Sequence, residues 1–261
     1  MTLTPAQIAS YRRNGYLYVP GVFPAREIAA VRKTVAKLVK EKRDSVIYEH
    51  DGKTVRSVLN AHLYNKVVDA FCRSERVVRP VMQLVKSPVY IFQSIVNVKR
   101  AFDGVQWAWH QDYPTYKVDD LMPEPRAVNC MIFVDDVNEF NGPLMIVPGT
   151  QKRKVKIGGV DTSVTPYPHG RYPKIDWVKP LMAGKGIVAP KGKAGSVIFM
   201  DLMAVHGSGP NMSPWHRSVM SLTLNSVENK ATGTVRGPAI CHDYRPIDPL
   251  AGSKIVAAAR A

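Results

Sequence analysis

Val89-Tyr90-Ile91-Phe92-Gln93-Ser94-Ile95-Val96-Asn97-Val98 and, further on, Ala127-Val128-Asn129-Cys130-Met131-Ile132-Phe133-Val134 decide the fold class of this 261-residue chain. Both runs are rich in β-branched and aromatic residues, and they read as a long strand and a nearly continuous apolar one. Downstream, Asn141-Gly142-Pro143 reads as a turn before the strand Leu144-Met145-Ile146-Val147. Ser196 to Met200 and Val219 to Asn225 complete the strand set. Upstream the pattern is helical. Thr4-Pro5-Ala6-Gln7 carries a helix start, with Thr as N-cap, Pro at the first position and Gln at the third. Asn14-Gly15 stops that helix and Tyr16-Leu17-Tyr18-Val19 follows as a strand. After Phe23-Pro24, the apolar residues Ile28, Val31, Val35 and Leu38 recur at helical spacing, and Lys40, Lys42 and Arg43 suit a helix C-terminus. A third helical region spans about Lys66 to Leu84, broken near Ser74 and Pro80. Helices first and strands afterwards predict a mainly β protein with flanking helices, packed on one side of an antiparallel sandwich or barrel.

Chemistry concentrates around His110-Gln111-Asp112, His206 and Arg217. Two imidazoles and one carboxylate form the ligand set that holds non-haem Fe(II) by one face and leaves the other open. Residues i and i+2 of an extended strand point the same way, so one strand can present His110 and Asp112 together. His206 must then arrive from a distant strand, and Arg217 is expected on the next strand of a hairpin running back past the metal. A guanidinium there suits a bidentate carboxylate partner. H-x-D alone is a weak pattern, and each histidine taken singly reads equally well as an ordinary hydrogen-bonded core residue. The aromatic setting of Trp107, Trp109 and Tyr113, the turn residues Gly207 to Pro210, and Arg217 favour the ligand reading. Cys241-His242-Asp243 has no partner pair at metal spacing and lies in a proline-bearing tail, so it is read as non-metal.

Composition narrows the class. A hydrophobic share of 45% is that of a globular protein, and no apolar run is long enough to span a bilayer. The N-terminal residues lack a secretory pattern, and three scattered cysteines do not make a disulfide framework; a cytoplasmic location is expected. The net charge of +15 raises nucleic acid as a partner. However, the stretch 151–193 alone holds Lys152, Arg153, Lys154, Lys156, Arg171, Lys174, Lys179, Lys185, Lys191 and Lys193 against Asp161 and Asp176. It is rich in Gly and Pro and lacks an aromatic stacking platform, so it reads as an irregular, lid-like insertion, or simply a solvated basic surface. His169 reads as one of its loop residues. No nucleic-acid or membrane partner is expected.

The sequence resembles the phytanoyl-CoA dioxygenase superfamily of Fe(II)/2-oxoglutarate oxygenases, nearest its ectoine hydroxylase and L-proline trans-4-hydroxylase branch. The resemblance covers about residues 4 to 230. It rests on Asp51-Gly52-Lys53-Thr54-Val55-Arg56-Ser57-Val58, Gln93 with Asn97-x-Lys99, Trp109-His110-Gln111-Asp112-Tyr113 and Asn141-Gly142-Pro143-Leu144. Pro148-Gly149-Thr150 and the run from His206-Gly207-Ser208 through Asn211-Met212-Ser213-Pro214 to Arg217 complete it. The resemblance implies a double-stranded β-helix (jelly-roll, cupin-like) core with the N-terminal helices packed on one sheet. It implies one catalytic domain over 1–261, made of a helical N-terminal region (residues 1–87), a core (88–230) holding the insertion, and a tail (231–261). Fe(II) would be held by His110, Asp112 and His206, with 2-oxoglutarate and O2 as co-substrates. Arg217 and Ser208 would anchor the distal carboxylate of 2-oxoglutarate, with Gln93, Asn97 and Lys99 bordering it. An unactivated C–H bond is then hydroxylated as succinate and CO2 are released.

The carboxylate of Asp112 argues against halogenation, since related halogenases lack it so that chloride can bind. Relatives carry a basic residue where this chain has Ile95. Those resembling ectoine hydroxylases place aromatics at the positions of Tyr116, Met200 and Ser221, of which only Tyr116 remains aromatic. Tyr113 and Asn211 to Pro214 are shared with proline hydroxylase-like sequences, and Arg56 is a candidate partner for a substrate carboxylate. The expected substrate is a small amino or imino acid or related metabolite, taken by a monomer or homodimer. The competing readings are a tailoring oxygenase on a larger natural-product scaffold, a nucleic-acid oxygenase and an inactive jelly-roll module.

Overall fold

The computed structural model describes residues 1–156, 159 and 170–260. Helix α1 (Pro5–Asn14) starts on a full capping box: the Thr4 hydroxyl accepts from the Gln7 N–H while the Gln7 side chain accepts from the Thr4 N–H. It ends on Gly15 in the left-handed region. Strand β1 (Tyr16–Val19) and helix α2 (Ala25–Leu38) follow. A hairpin that the sequence reading did not contain comes next, β2 (Val46–Tyr48) with β3 (Val55–Leu59). Its first strand has three residues, and the periodicity is too brief to read. The third helical region is two helices, α3 (Lys66–Cys72) and α4 (Glu75–Val85). Ser74 divides them as the N-cap of α4, whereas Pro80 is accommodated inside that helix and breaks nothing.

The remaining elements are β4 (Val89–Lys99), β5 (Trp107–His110), α5 (Asp112–Asp119), β6 (Ala127–Phe133), β7 (Leu144–Val147), α6 (Ile175–Lys185), β8 (Val197–Asp201), β9 (Val205–Ser208), β10 (Arg217–Ser226) and α7 (Ser253–Ala258). They form a seven-stranded sheet, β1-β8-β6-β10-β4-β3-β2, and a three-stranded sheet, β5-β9-β7, with every strand pair antiparallel. The architecture is the expected jelly roll. Among the described residues, no helix is long and apolar enough to cross a membrane.

Alternation along the long strands positions the site. One face of the large sheet turns Val96, Val98, Val128, Cys130, Ile132, Phe199, Met220 and Leu222 into the main core with α2, α3 and α4. Residues such as Leu222 are wholly buried there, each burial worth roughly 1.5–3 kcal/mol. The other face carries Met131, Phe133, Ile198, Met200 and Val219 toward the small sheet. On that inner face Gln93, Ile95, Asn97 and Lys99 stand opposite Thr223, Ser221, Val219 and Arg217. Polar residues on a buried face are costly unless partnered, which marks this face as the working one.

Three expectations are corrected. Arg217 is not on a hairpin beside β9: the chain crosses from the small sheet to the large one, so His206 and Arg217 face each other across the sandwich. The stretch 151–193 is not wholly irregular, because α6 lies within it. The strand at His110 also stops before Asp112, which is the first residue of α5. His169 and the other residues of 157–158 and 160–169 lie outside the described residues.

Candidate active site

His110 on β5 and His206 on β9 are direct cross-strand partners, with ring centroids 4.2 Å apart. Gln111 keeps an extended backbone, so Asp112 still points the same way as His110, as i and i+2 require, although a helix begins there. The Asp112 and Tyr113 N–H groups both donate to the Leu202 carbonyl, which fixes that turn. Each imidazole is tethered from behind, His110 Nδ1 at 2.7 Å from the Ala108 carbonyl and His206 Nδ1 at 3.0 Å from the Ala204 carbonyl. A carbonyl only accepts, so Nδ1 carries the proton and Nε2 presents its lone pair inward. The Nε2 atoms lie 3.5 and 3.7 Å from Asp112 Oδ1. Among the described residues this trio is the metal-competent cluster, its donor atoms all within 4.8 Å of one another. Cys241-His242-Asp243 forms none: His242 meets the Tyr244 hydroxyl and Asp243 pairs with Arg245.

Burial opposes ionisation of Asp112. Even so, His206, His110 and the Asn129 amide hold its carboxyl down at about 2, so it is an anion ready to ligate. Burial, aided by His110, pushes His206 down to about 4 and keeps the imidazole neutral. Two imidazoles and an ionised carboxylate are the donors that a divalent iron takes, and the set fits it.

Beside the trio opens a cavity of about 90 Å³. The large sheet lines it with Gln93, Ile95, Asn97, Asn129, Met131, Arg217 and Ser221, and the small sheet with Trp107, Leu144 and Ser208. Thr115 and Tyr116 of α5, Gly170 and Tyr172 of the basic stretch, and Arg236 also line it. Arg217 is 3% exposed; one nitrogen donates to the Gly142 carbonyl, while Nε is buried without a hydrogen-bond partner. Burial first, then the neighbouring Arg56, pulls its guanidinium down to about 10. Buried Lys99, which donates to the Gly209 carbonyl, is pulled below the usual lysine range by burial and by Arg217 and Arg56. Glu49 is the carboxylate acting on this cationic group. A buried guanidinium with an unanswered donor fits the far carboxylate of a keto-diacid such as 2-oxoglutarate.

Several expected residues stand elsewhere. Lys99 is behind the wall rather than on it. Arg56 is 1% exposed, bound to Glu49 at 2.9 Å and to the Gln106 carbonyl, and stacked 4.0 Å over the Trp107 ring. It does not line the cavity itself, and it supports Trp107, which does. The Tyr113 hydroxyl donates to the Pro123 carbonyl and lines a different groove. Met200 is fully buried between the sheets, and its neighbour across β6 and β8, Asn129, reaches the cavity instead. Tyr116, Ile95 and Ser221 do line it.

Arg236 was not read from sequence. It is held bidentately by buried Asp120, donates to Gln93 Oε1 at 3.3 Å and lies 4.8 Å over the Tyr116 ring. It follows the last strand in an irregular segment, so no periodicity announced it. Asn129 and Met131 were readable in principle, as alternate residues of one strand.

The family model "Phytanoyl-CoA dioxygenase (PhyH)" matches residues 11–219. Ectoine dioxygenase from Bordetella bronchiseptica is 35% identical over 240 residues, covering 87% of this chain and 77% of that protein. L-proline trans-4-hydroxylase from Streptomyces griseoviridis is 30% identical over 259 residues, covering 94% and 95%. The crystal structure of EctD from S. alaskensis with 2-oxoglutarate and 5-hydroxyectoine superposes with a TM-score of 0.78 at 28% identity, over 94% of this chain and 82% of that one. These matches and the cluster of one aspartate and two histidines lead to one conclusion: the chain belongs to the phytanoyl-CoA dioxygenase family and is a 2-oxoglutarate-dependent non-haem iron dioxygenase.

Proposed function

We propose that this enzyme hydroxylates an unactivated C–H bond of a small, carboxylate-bearing metabolite of the amino or imino acid class. The observation that carries the reading is a compact cavity with two arginines, Arg217 and Arg236, and the iron-binding trio in the same wall. His110, Asp112 and His206 hold Fe(II), which when bound with 2-oxoglutarate and O2 supplies the oxidising power for C–H cleavage. Arg217 and Ser208 bind the distal carboxylate of 2-oxoglutarate, Gln93 and Asn97 flank it, and Lys99 stands behind them. Arg236, braced by Asp120, meets the carboxylate of the substrate. Ile95, Met131, Leu144 and Tyr116 form an apolar wall that orients the C–H bond and excludes water. Apart from Asp112 itself, the lining residues include no carboxylate, which favours an acid over a simple cation.

The test is succinate release from 2-oxoglutarate with Fe(II) across a panel of amino acids, imino acids, cyclic metabolites and uncharged scaffolds. Stimulation by small carboxylates is expected; stimulation only by scaffolds lacking one would refute the substrate class. Arg236→Lys keeps the charge but loses the planar fork, and should raise the substrate KM while leaving the 2-oxoglutarate KM nearly unchanged.

A further inference from the structure

We propose that Asn129, itself oriented by Ser221, is a positioning residue that makes Asp112 present one oxygen, and only one, to the metal. The inference rests on the reading that the trio binds Fe(II). The Asn129 side-chain N–H donates to Asp112 Oδ2 at 3.0 Å, and the Ser221 hydroxyl donates to Asn129 Oδ1 at 3.0 Å. All three side chains are buried, Asp112 8%, Asn129 4% and Ser221 7% exposed. The relay runs diagonally across neighbouring strands, since Thr223 lies opposite Asn129 and Ser221 opposite Met131.

The two oxygens of an ionised carboxylate are chemically equivalent, so nothing within Asp112 decides which one faces the imidazoles. A donor on one side removes that equivalence. Asn129 occupies Oδ2 and leaves Oδ1 on the side of both Nε2 atoms. The amide has the same two-fold ambiguity, because a flipped Asn129 would set its carbonyl oxygen against the carboxylate. Ser221 removes it by donating to Oδ1, which commits the NH2 group to Asp112. The consequence is coordination number. Three protein atoms on one face leave the opposite face for the co-substrates, and a second Asp112 oxygen on the ion would close some of it. Ser221 also lines the cavity, so the relay joins the wall the substrate touches to the carboxylate that holds iron.

The test uses the metal-free full-length protein and Co(II) as probe, without 2-oxoglutarate, followed by calorimetry and by the visible absorption bands that report coordination. Asn129→Ala should weaken Co(II) binding by about tenfold to a hundredfold and alter the bands. Ser221→Ala should do so to a lesser degree, and Ser221→Thr, which keeps the hydroxyl, should restore wild-type values. Should Asn129→Ala not fold, the two Ser221 variants decide. Wild-type affinity and spectrum in both alanine variants would overturn the proposal while sparing the metal assignment. A wild-type protein that takes up no Co(II) would remove the metal reading and this one together.

Discussion

At the scale of single residues, the buried arginines around the site differ in what their donors meet. Arg56 and Arg236 each have a buried carboxylate partner, and of these two only Arg236 also lines the cavity; Arg217 makes its hydrogen bond to a carbonyl and has no carboxylate partner among the described residues. Arg217→Ala is therefore expected to raise the 2-oxoglutarate KM by about tenfold to a hundredfold, the value of a charge-assisted hydrogen bond. The substrate KM should change far less, and steady-state kinetics with each component varied in turn checks both. His110→Ala and Asp112→Ala should abolish succinate release with circular dichroism unchanged; full activity in both would refute the metal assignment. A second residue is instructive for stability. Burial raises the carboxyl of Asp201 to about 6, beside Tyr11, although the Met203 N–H donates to it. A folded-state value above the unfolded one means stability present below about pH 4 and lost as pH rises to 6. Asp201→Asn keeps an acceptor for Met203 and should be more stable than wild type at pH 7.5 by about 2 kcal/mol. Thermal unfolding at pH 4 should show little difference between the two proteins.

At the scale of elements, the alternation of β4, β6 and β10 assigns apolar residues to one face and a polar set to the other, and the turns then aim that set. Gly142 shows the dependence. Its φ of 70° is left-handed, and a Cβ there would lie 2.7 Å from the Gly209 carbonyl oxygen. Its own carbonyl is the acceptor for Arg217. Gly142→Ala should cost about 1–2 kcal/mol from backbone strain alone. It should also raise the 2-oxoglutarate KM, because the shifted carbonyl moves the guanidinium. An unchanged KM in that variant would mean that Arg217 is fixed by other contacts.

At the scale of the whole molecule, the residue between the two metal ligands doubles as a clasp. Gln111 is 2% exposed; its amide donates to the Arg153 and Met203 carbonyls and accepts from the Val155 N–H. Further along the basic stretch, Arg171 pairs with Asp119 of α5 and Tyr172 packs edge-on to His110 at 5.6 Å. Residues 153–155 and 171–172 of the basic stretch are thus fastened to the segment carrying His110 and Asp112. Gln111→Ala leaves buried backbone groups unpaired and should destabilise the fold by about 3 kcal/mol, read as a fall in Tm. Its substrate KM should rise with it, since Gly170 and Tyr172 line the cavity.

The sequence alone carried what depends on local spacing. The strands β4, β6 and β10 were legible from their runs of β-branched and apolar residues, and the capping box of α1 because its partners are three apart. The metal trio was also legible, because the types and the i, i+2 relation are local and the family blocks stand in order. What depended on chain crossing was not. The passage of the chain from β9 to β10 between sheets sets Arg217 across the cavity from His206, and no spacing encodes which sheet a strand joins. The partners of Arg56, Arg236 and Asn129 lie 7, 116 and 17 residues away in the chain. Whether a buried charge meets a ligand or a carboxylate is decided only when distant segments share one desolvated space, and that is a property of the tertiary structure.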